Sequence, residues 1–191
     1  MARLAARYAG RGVVAFGLAS DEALFPPAPF AEAFSIALSA GLLSTPHAGE
    51  LAGPESVQGA LDQLKAHRIQ HGVRAIEDPA LVERLALAGV CLDVCPTSNL
   101  LLGVVSDLAA HPLPALLAAG VRCSLNADDP LLFGVGLADE YLIGREALGL
   151  DDATLAGVAA NSIQASGAPA GLKRSALRGI SEWLGTAETE P

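Results

Sequence analysis

The side chains with most chemical capacity stand in short clusters: Asp128 and Asp129 in Ser124-Leu125-Asn126-Ala127-Asp128-Asp129-Pro130, His47 and Glu50 in Pro46-His47-Ala48-Gly49-Glu50, and His71 before Gly72. A fourth cluster, Cys95-Pro96-Thr97-Ser98-Asn99, is polar without being charged. Carboxylates and imidazoles of this kind can hold a divalent metal or move protons. Each cluster follows a short strand-like run: Val121 to Leu125, Leu42 to Thr45, Arg68-Ile69-Gln70 and Val90 to Val94. In parallel α/β folds the carboxyl ends of strands gather on one face, so clusters distant in sequence would meet there. Taken singly, Asp-Asp-Pro reads as a turn and helix start, with the Asp accepting from exposed N–H groups and Pro at the first helical position. Four polar strand ends at corresponding places in successive units point instead to a shared site.

The elements that must position these residues follow from periodicity. Strand-like runs occur at Val13 to Leu18, Leu42 to Pro46, His67 to His71, Val90 to Cys95 and Val121 to Asn126. Helical patterns lie between them at Pro29 to Ala40, Pro54 to Ala66, Pro79 to Ala88 and Pro112 to Ala119. Gly41, Gly89 and Gly120 each stand where a left-handed cap would end a helix before the next strand. Strand and helix in alternation predict an α/β fold, a parallel sheet covered by helices. After Asp129 the pattern turns helical, with candidates at Leu137 to Leu148, Asp152 to Gln164 and Ala170 to Trp183, then a tail from Gly185 to Pro191 expected to fray. No Gly- or Ser-rich linker divides the chain, so residues 1–184 are expected to form one unit.

Five βα units are fewer than the eight of a closed barrel, which takes about 250 residues. The ligand count agrees. A catalytic zinc takes three protein ligands and keeps one position open; His47 and Asp128 are candidate ligands, and His71 is either a third or a residue standing behind them.

Composition narrows the function. Of 191 residues, 51% are hydrophobic and 17% charged, enough for a substantial core. With 12 Lys plus Arg against 21 Asp plus Glu, the net charge of −9 disfavours a nucleic-acid partner. The apolar runs fall well short of the roughly 20 residues that cross a bilayer, and Met1 to Ala9 reads as an Arg-bearing helix and not a signal peptide. Cys91, Cys95 and Cys123 form no CxxC pair, and fit reduced thiols in a cytoplasmic protein.

The motifs, taken in order, resemble those of the adenosine and AMP deaminase family of metal-dependent TIM-barrel hydrolases. The resemblance runs through Val13-Val14-Ala15-Phe16-Gly17-Leu18-Ala19-Ser20-Asp21-Glu22, His47-Ala48-Gly49-Glu50, Arg68-Ile69-Gln70-His71-Gly72, Cys95 to Asn99 and Ser124 to Pro130. It implies a partial (β/α)8 TIM barrel, strands four to eight followed by C-terminal helices, and a hydrolytic deaminase of adenosine or a related 6-aminopurine nucleoside. By the same resemblance Zn2+ is the cofactor and His47 and Asp128 are its ligands. Glu50 is the proton donor to the purine, His71 orients the attacking water, and Asp129 and Ser20 contact the substrate. The family's first strand carries a His-x-His pair that completes the zinc site. This chain has no His-x-His, and its remaining histidines, His67 and His111, match no family site residue.

Deaminating an aminopurine needs hydroxide at neutral pH, which a metal supplies, and a protonated carboxyl for the ring nitrogen, which burial supplies. Gly17, Ser20 and Gln70 depart from the usual family pattern. The resemblance therefore specifies the reaction type and leaves the particular aminopurine open. The competing expectation is an inactive remnant, or half of a split barrel acting only by association through an open sheet edge.

Overall fold

The computed structural model describes residues 1–187. Helix α1 (Ala2–Arg7) precedes five strands, β1 (Ala15–Leu18), β2 (Leu43–Ala48), β3 (Arg68–His71), β4 (Cys91–Val94) and β5 (Arg122–Leu125). Helices α2 (Ala31–Ser39), α3 (Pro54–Leu64), α4 (Pro79–Ala88), the short α5 (Pro96–Leu101) and α6 (Leu113–Ala118) fill the intervals. Beyond β5 come α7 (Pro130–Phe133), α8 (Leu137–Glu146), α9 (Asp152–Gln164) and α10 (Ala170–Ala187).

The strands form one parallel sheet in chain order, β1-β2-β3-β4-β5, so β1 and β5 are its edges. Simple succession with parallel pairing, helix after strand, is the connectivity of a βα barrel segment. It matches the expected partial barrel. Burial alternates along β2, where Ser44, Pro46 and Ala48 are buried and Leu43, Thr45 and His47 only partly so. One sheet face meets the helices: Ile69, Leu92, Cys123 and Leu125 join Val57, Leu61, Leu85, Leu116 and Val158 in a single apolar cluster.

The other face carries polar side chains of β3, β4 and β5. Asp93 takes two bonds from Arg68 Nε at 3.0 and 3.2 Å, a shorter contact from Nη2, one from Gln70 Nε2 at 2.8 Å and one from Ser124 Oγ at 2.7 Å. Arg68 Nη1 also donates to the Ser162 carbonyl of α9 at 3.1 Å. Three neighbouring strands are thus tied across their inner face. A charge pair of this kind, with every partner in place, costs several kcal/mol to break on one side.

The helix stops hold where they were expected. Gly41, Gly89 and Gly120 adopt φ of 81°, 65° and 82°, conformations that a Cβ disfavours. The short helix α5 was not anticipated, a turn or two opened by a proline after a polar strand end, whereas α7 starts where the helix-start reading of Asp-Asp-Pro puts it. Such segments carry no apolar period to read. Helix α10 continues through Gly185 to Ala187, inside the tail expected to fray, and residues 188–191 of that tail lie outside the described residues.

Candidate active site

The predicted residues sit at the carboxyl ends of the strands, His47 and His71 within the last residues of β2 and β3, and Ser20, Glu50, Asp128 and Asp129 just beyond β1, β2 and β5, and the sheet brings several of them together. His47 pairs in register with Gln70, and Ala48 with His71, so the second and third strand ends are adjacent. The turn after Ala48 is tight. Gly49 has φ of 70°, and a Cβ there would lie 2.3 Å from Val57 Cγ2, so only glycine fits.

His47 is oriented by β1. Its Nδ1 lies 2.8 Å from the Leu18 carbonyl oxygen, which can only accept, so Nδ1 carries the proton and Nε2 keeps its lone pair. An imidazole held in this way is prepared as a metal ligand. Asp128 adopts φ of 55°, a left-handed backbone that few non-glycine residues take, and receives the Ser98 hydroxyl at 2.7 Å.

His71 lies between them, almost fully buried and also left-handed, with φ of 60°. Its Nε2 is 3.9 Å from Asp128 Oδ2, its Nδ1 is 3.3 Å from Glu50 Oε1, and its ring centroid is 5.4 Å from that of His47. Burial lowers its pKa to about 4, against the opposing pull of Asp128, so the ring is neutral. His71, Cys95 and Asp128 also place one potential ligand atom each within 4.8 Å of one another. The Cys95 thiol is held well above its ordinary pKa by burial and nearby carboxylates, which leaves it a poor ligand beside the nitrogen and oxygen donors.

Glu50 is the acid of the group. Its Oε1 is buried and makes no hydrogen bond. Burial raises its pKa to about 7, helped by the charges of Asp128 and Glu22. A carboxyl in this state can carry a proton at neutral pH.

Glu50 is held by an acid for which the sequence motifs suggest no role. Glu22, 9% exposed, accepts from the backbone N–H groups of Gly49 at 2.7 Å, Glu50 at 2.7 Å and Ala52 at 2.8 Å, from that of Leu51, and from the Ser56 hydroxyl at 2.6 Å. The signal available in the sequence was an acid four residues beyond a strand, close to the strand end as the other site residues also are. A second buried acid, Glu140 of α8, accepts weakly from the Thr97 N–H at 3.3 Å, at the start of the helix that carries Ser98.

Two predicted substrate residues are placed less decisively. Asp129 caps α7, its Oδ1 accepting from the Leu131 N–H at 3.1 Å, as the plain turn-and-helix-start reading of Asp-Asp-Pro would have it. Ser20 is exposed and lines a narrow crevice shared with Glu22 and His47. His67 is exposed at the far end of β3, where its Nδ1 accepts the Ser44 N–H at 3.1 Å. His111, also set aside in the sequence, is buried.

Residues 1–183 match the family model described as adenosine deaminase. A putative adenosine/adenine deaminase of Streptomyces coelicolor is 53% identical over 184 residues, which cover 96% of this chain and 54% of that protein. An adenine deaminase of Chelativorans sp. is 50% identical over 165 residues, 86% of this chain and 51% of the relative. The crystal structure of adenine deaminase from Arthrobacter aurescens superposes with a TM-score of 0.88 at 36% identity, covering 96% of this chain and 58% of that one. The chain belongs to the adenosine deaminase family. It spans about half the length of the curated relatives it matches.

Proposed function

We propose that this chain supplies the carboxyl-terminal half of a zinc-dependent hydrolytic deaminase of a 6-aminopurine, either adenine or adenosine. The observation that carries the reading is Glu50, a carboxyl with an unpartnered buried oxygen and a pKa near 7, held against His71. The names of the relatives, adenine deaminase among them, support a purine substrate and are the reason the free base is proposed alongside the nucleoside.

The donor set suits zinc in part. His47 Nε2 and Asp128 would hold it, two of the three protein ligands such a site takes. When bound, zinc supplies water acidified to a pKa of about 7. Glu50 passes its proton to the ring nitrogen beside the amino-bearing carbon as the water oxygen bonds to that carbon. One water proton restores Glu50, and the other leaves with the amino group as ammonia. His71 orients the water and offsets the charge that develops on its oxygen. Asp129 and the Ser20 segment form the purine side of the site. Three free, buried thiols support a reducing compartment, the cytoplasm.

β1 and β5 are the edge strands of the sheet, where further strands would add. The test is ammonia release from adenine and adenosine with added zinc, by this chain alone and by this chain joined at its amino end to the part of a curated relative that it does not span. We expect turnover from the joined protein and little from the chain alone. A joined protein that folds and binds zinc yet releases no ammonia from either purine defeats the proposal. Full turnover by the chain alone would show that the ligand count is wrong.

A further inference from the structure

His111 and Asn99 have no part in the chemistry above, yet they are buried beside it, 4% and 0% exposed. His111 Nδ1 lies 3.1 Å from the backbone nitrogen of Leu113. His111 Nε2 is 3.3 Å from Asn99 Oδ1, and Asn99 Nδ2 is 3.4 Å from His71 Nδ1. The whole series is oriented by one fixed donor. A backbone N–H can only donate, so His111 Nδ1 must accept. A neutral imidazole that accepts at one nitrogen carries its proton on the other, so His111 Nε2–H donates to Asn99 Oδ1. That leaves the Asn99 amide N–H groups facing His71, whose Nδ1 must accept in turn.

The reverse arrangement fails. Turning the Asn99 amide would ask His111 to accept at both ring nitrogens, which a neutral ring cannot do. Protonating His111 would set its Nδ1–H against the Leu113 N–H, and burial already lowers the pKa of His111 to about 4. The other neighbour of His71 Nδ1, Glu50 Oε1 at 3.3 Å, makes no hydrogen bond there.

We infer that His111 and Asn99 are positioning residues that hold His71 as its Nε2–H tautomer, so that His71 meets the site as a hydrogen-bond donor and not as a metal ligand. The contrast with His47 is internal to the fold. There a carbonyl fixes the proton on Nδ1 and frees Nε2; here a backbone N–H, acting through two side chains, does the opposite. Two histidines with rings 5.4 Å apart are thereby assigned different tasks. The functional consequence rests on the reading of His71 as the group beside the attacking water. The tautomer does not.

Nitrogen chemical shifts of histidine side chains, recorded at pH 8 on the full chain labelled with 15N and assigned by single substitutions, read the tautomers directly. We expect an unprotonated Nδ1 in His71 and His111 and an unprotonated Nε2 in His47. Asn99→Asp keeps the volume but presents only acceptors, so the His71 proton should move to Nδ1. His111→Phe should remove the preference and shift both His71 nitrogens toward intermediate values. A parent spectrum with His71 protonated on Nδ1, or an Asn99→Asp spectrum with His71 unchanged, overturns the inference. If either variant fails to fold, the parent spectrum alone decides. In the deaminating form of the protein, Asn99→Asp should lower kcat about 100-fold while KM and zinc content change less than about threefold; an unaltered kcat also overturns it. A parent that shows the Nε2–H tautomer but never deaminates leaves the relay standing and defeats the proposed function instead.

Discussion

The loop after β2 and the end of β5 contribute to the same site but are built differently. Glu50 sits on a turn whose successive backbone N–H groups, from Gly49 to Ala52, converge on the buried carboxylate of Glu22. Its place is set by the protein before any ligand arrives. Asp128 and Asp129 stand on a partly exposed segment with a left-handed residue, secured by the Ser98 hydroxyl and by the cap of a four-residue helix. On the proposed reading the proton donor is therefore preorganised, while the acid proposed to bind metal is held by fewer contacts and would gain most from the metal itself. Preorganised donors cost no rearrangement at the moment of reaction, and a metal can order its own ligands.

The largest effect that sharpens this contrast is expected at Glu50. Glu50→Gln should reduce turnover by about 10² to 10⁴ in the deaminating form while zinc content, read by atomic absorption, stays near parental, because on the proposed reading the residue moves a proton and binds no metal. Loss of zinc in this variant would place Glu50 among the ligands and erase the division between the two regions. Next comes Glu22→Gln, which leaves some of the converging N–H groups opposed by an amide. It should cost about 1 to 3 kcal/mol of stability in denaturant unfolding and speed amide exchange at residues 49–52 ahead of α4 and α9. Uniform exchange across the chain would mean that Glu22 does not hold the turn.

Much of the sheet could be read from sequence because strand, helix and capping glycine repeat, and the expected strands meet the observed ones within a few residues. The clusters at strand ends were legible because acids and histidines there have no packing reason to be present. What stayed hidden was the support behind them. Glu22, Asn99 and His111 act across 27, 28 and 12 residues of sequence, and no local period marks a partner that distant. Asp129 shows the opposite difficulty: a short motif satisfied by a helix cap and by substrate contact alike. Departures of strand composition from a continuous apolar run, as in Arg68-Ile69-Gln70-His71, were informative in retrospect, since alternate residues face the inside of the sheet.

A smaller effect should separate the β5 end from the β2 loop. Ser98→Ala removes the hydroxyl bonded to Asp128 Oδ2, and if Asp128 is the metal ligand proposed, losing that partner should weaken metal affinity about tenfold or somewhat more. Competition with a zinc indicator would measure it. Exchange at residues 49–52 should not change, because that turn is held by Glu22. A Ser98→Ala variant with loosened Glu50 and parental zinc affinity would invert the comparison.

The smallest effect is a pH dependence of stability that belongs to Glu50 alone. Its carboxyl is held near pKa 7 in the fold by burial and by the charges of Asp128 and Glu22, against an unfolded value near 4.5. The folded state thus binds the proton more tightly. Its contribution to stability is complete below about pH 4.5 and is lost as pH rises through about 7, where a buried carboxylate must ionise. Replacing it with Gln, which does not titrate, removes that loss. With metal chelated, Glu50→Gln and the parent should melt at the same temperature near pH 4.5, and the variant should melt a few degrees higher at pH 8, a modest shift because solvent reaches part of the site. A Tm difference that is constant between the two pH values would show that Glu50 has an ordinary pKa. The preorganised loop would then hold a carboxylate and not an acid, and proton donation to the purine would need another group.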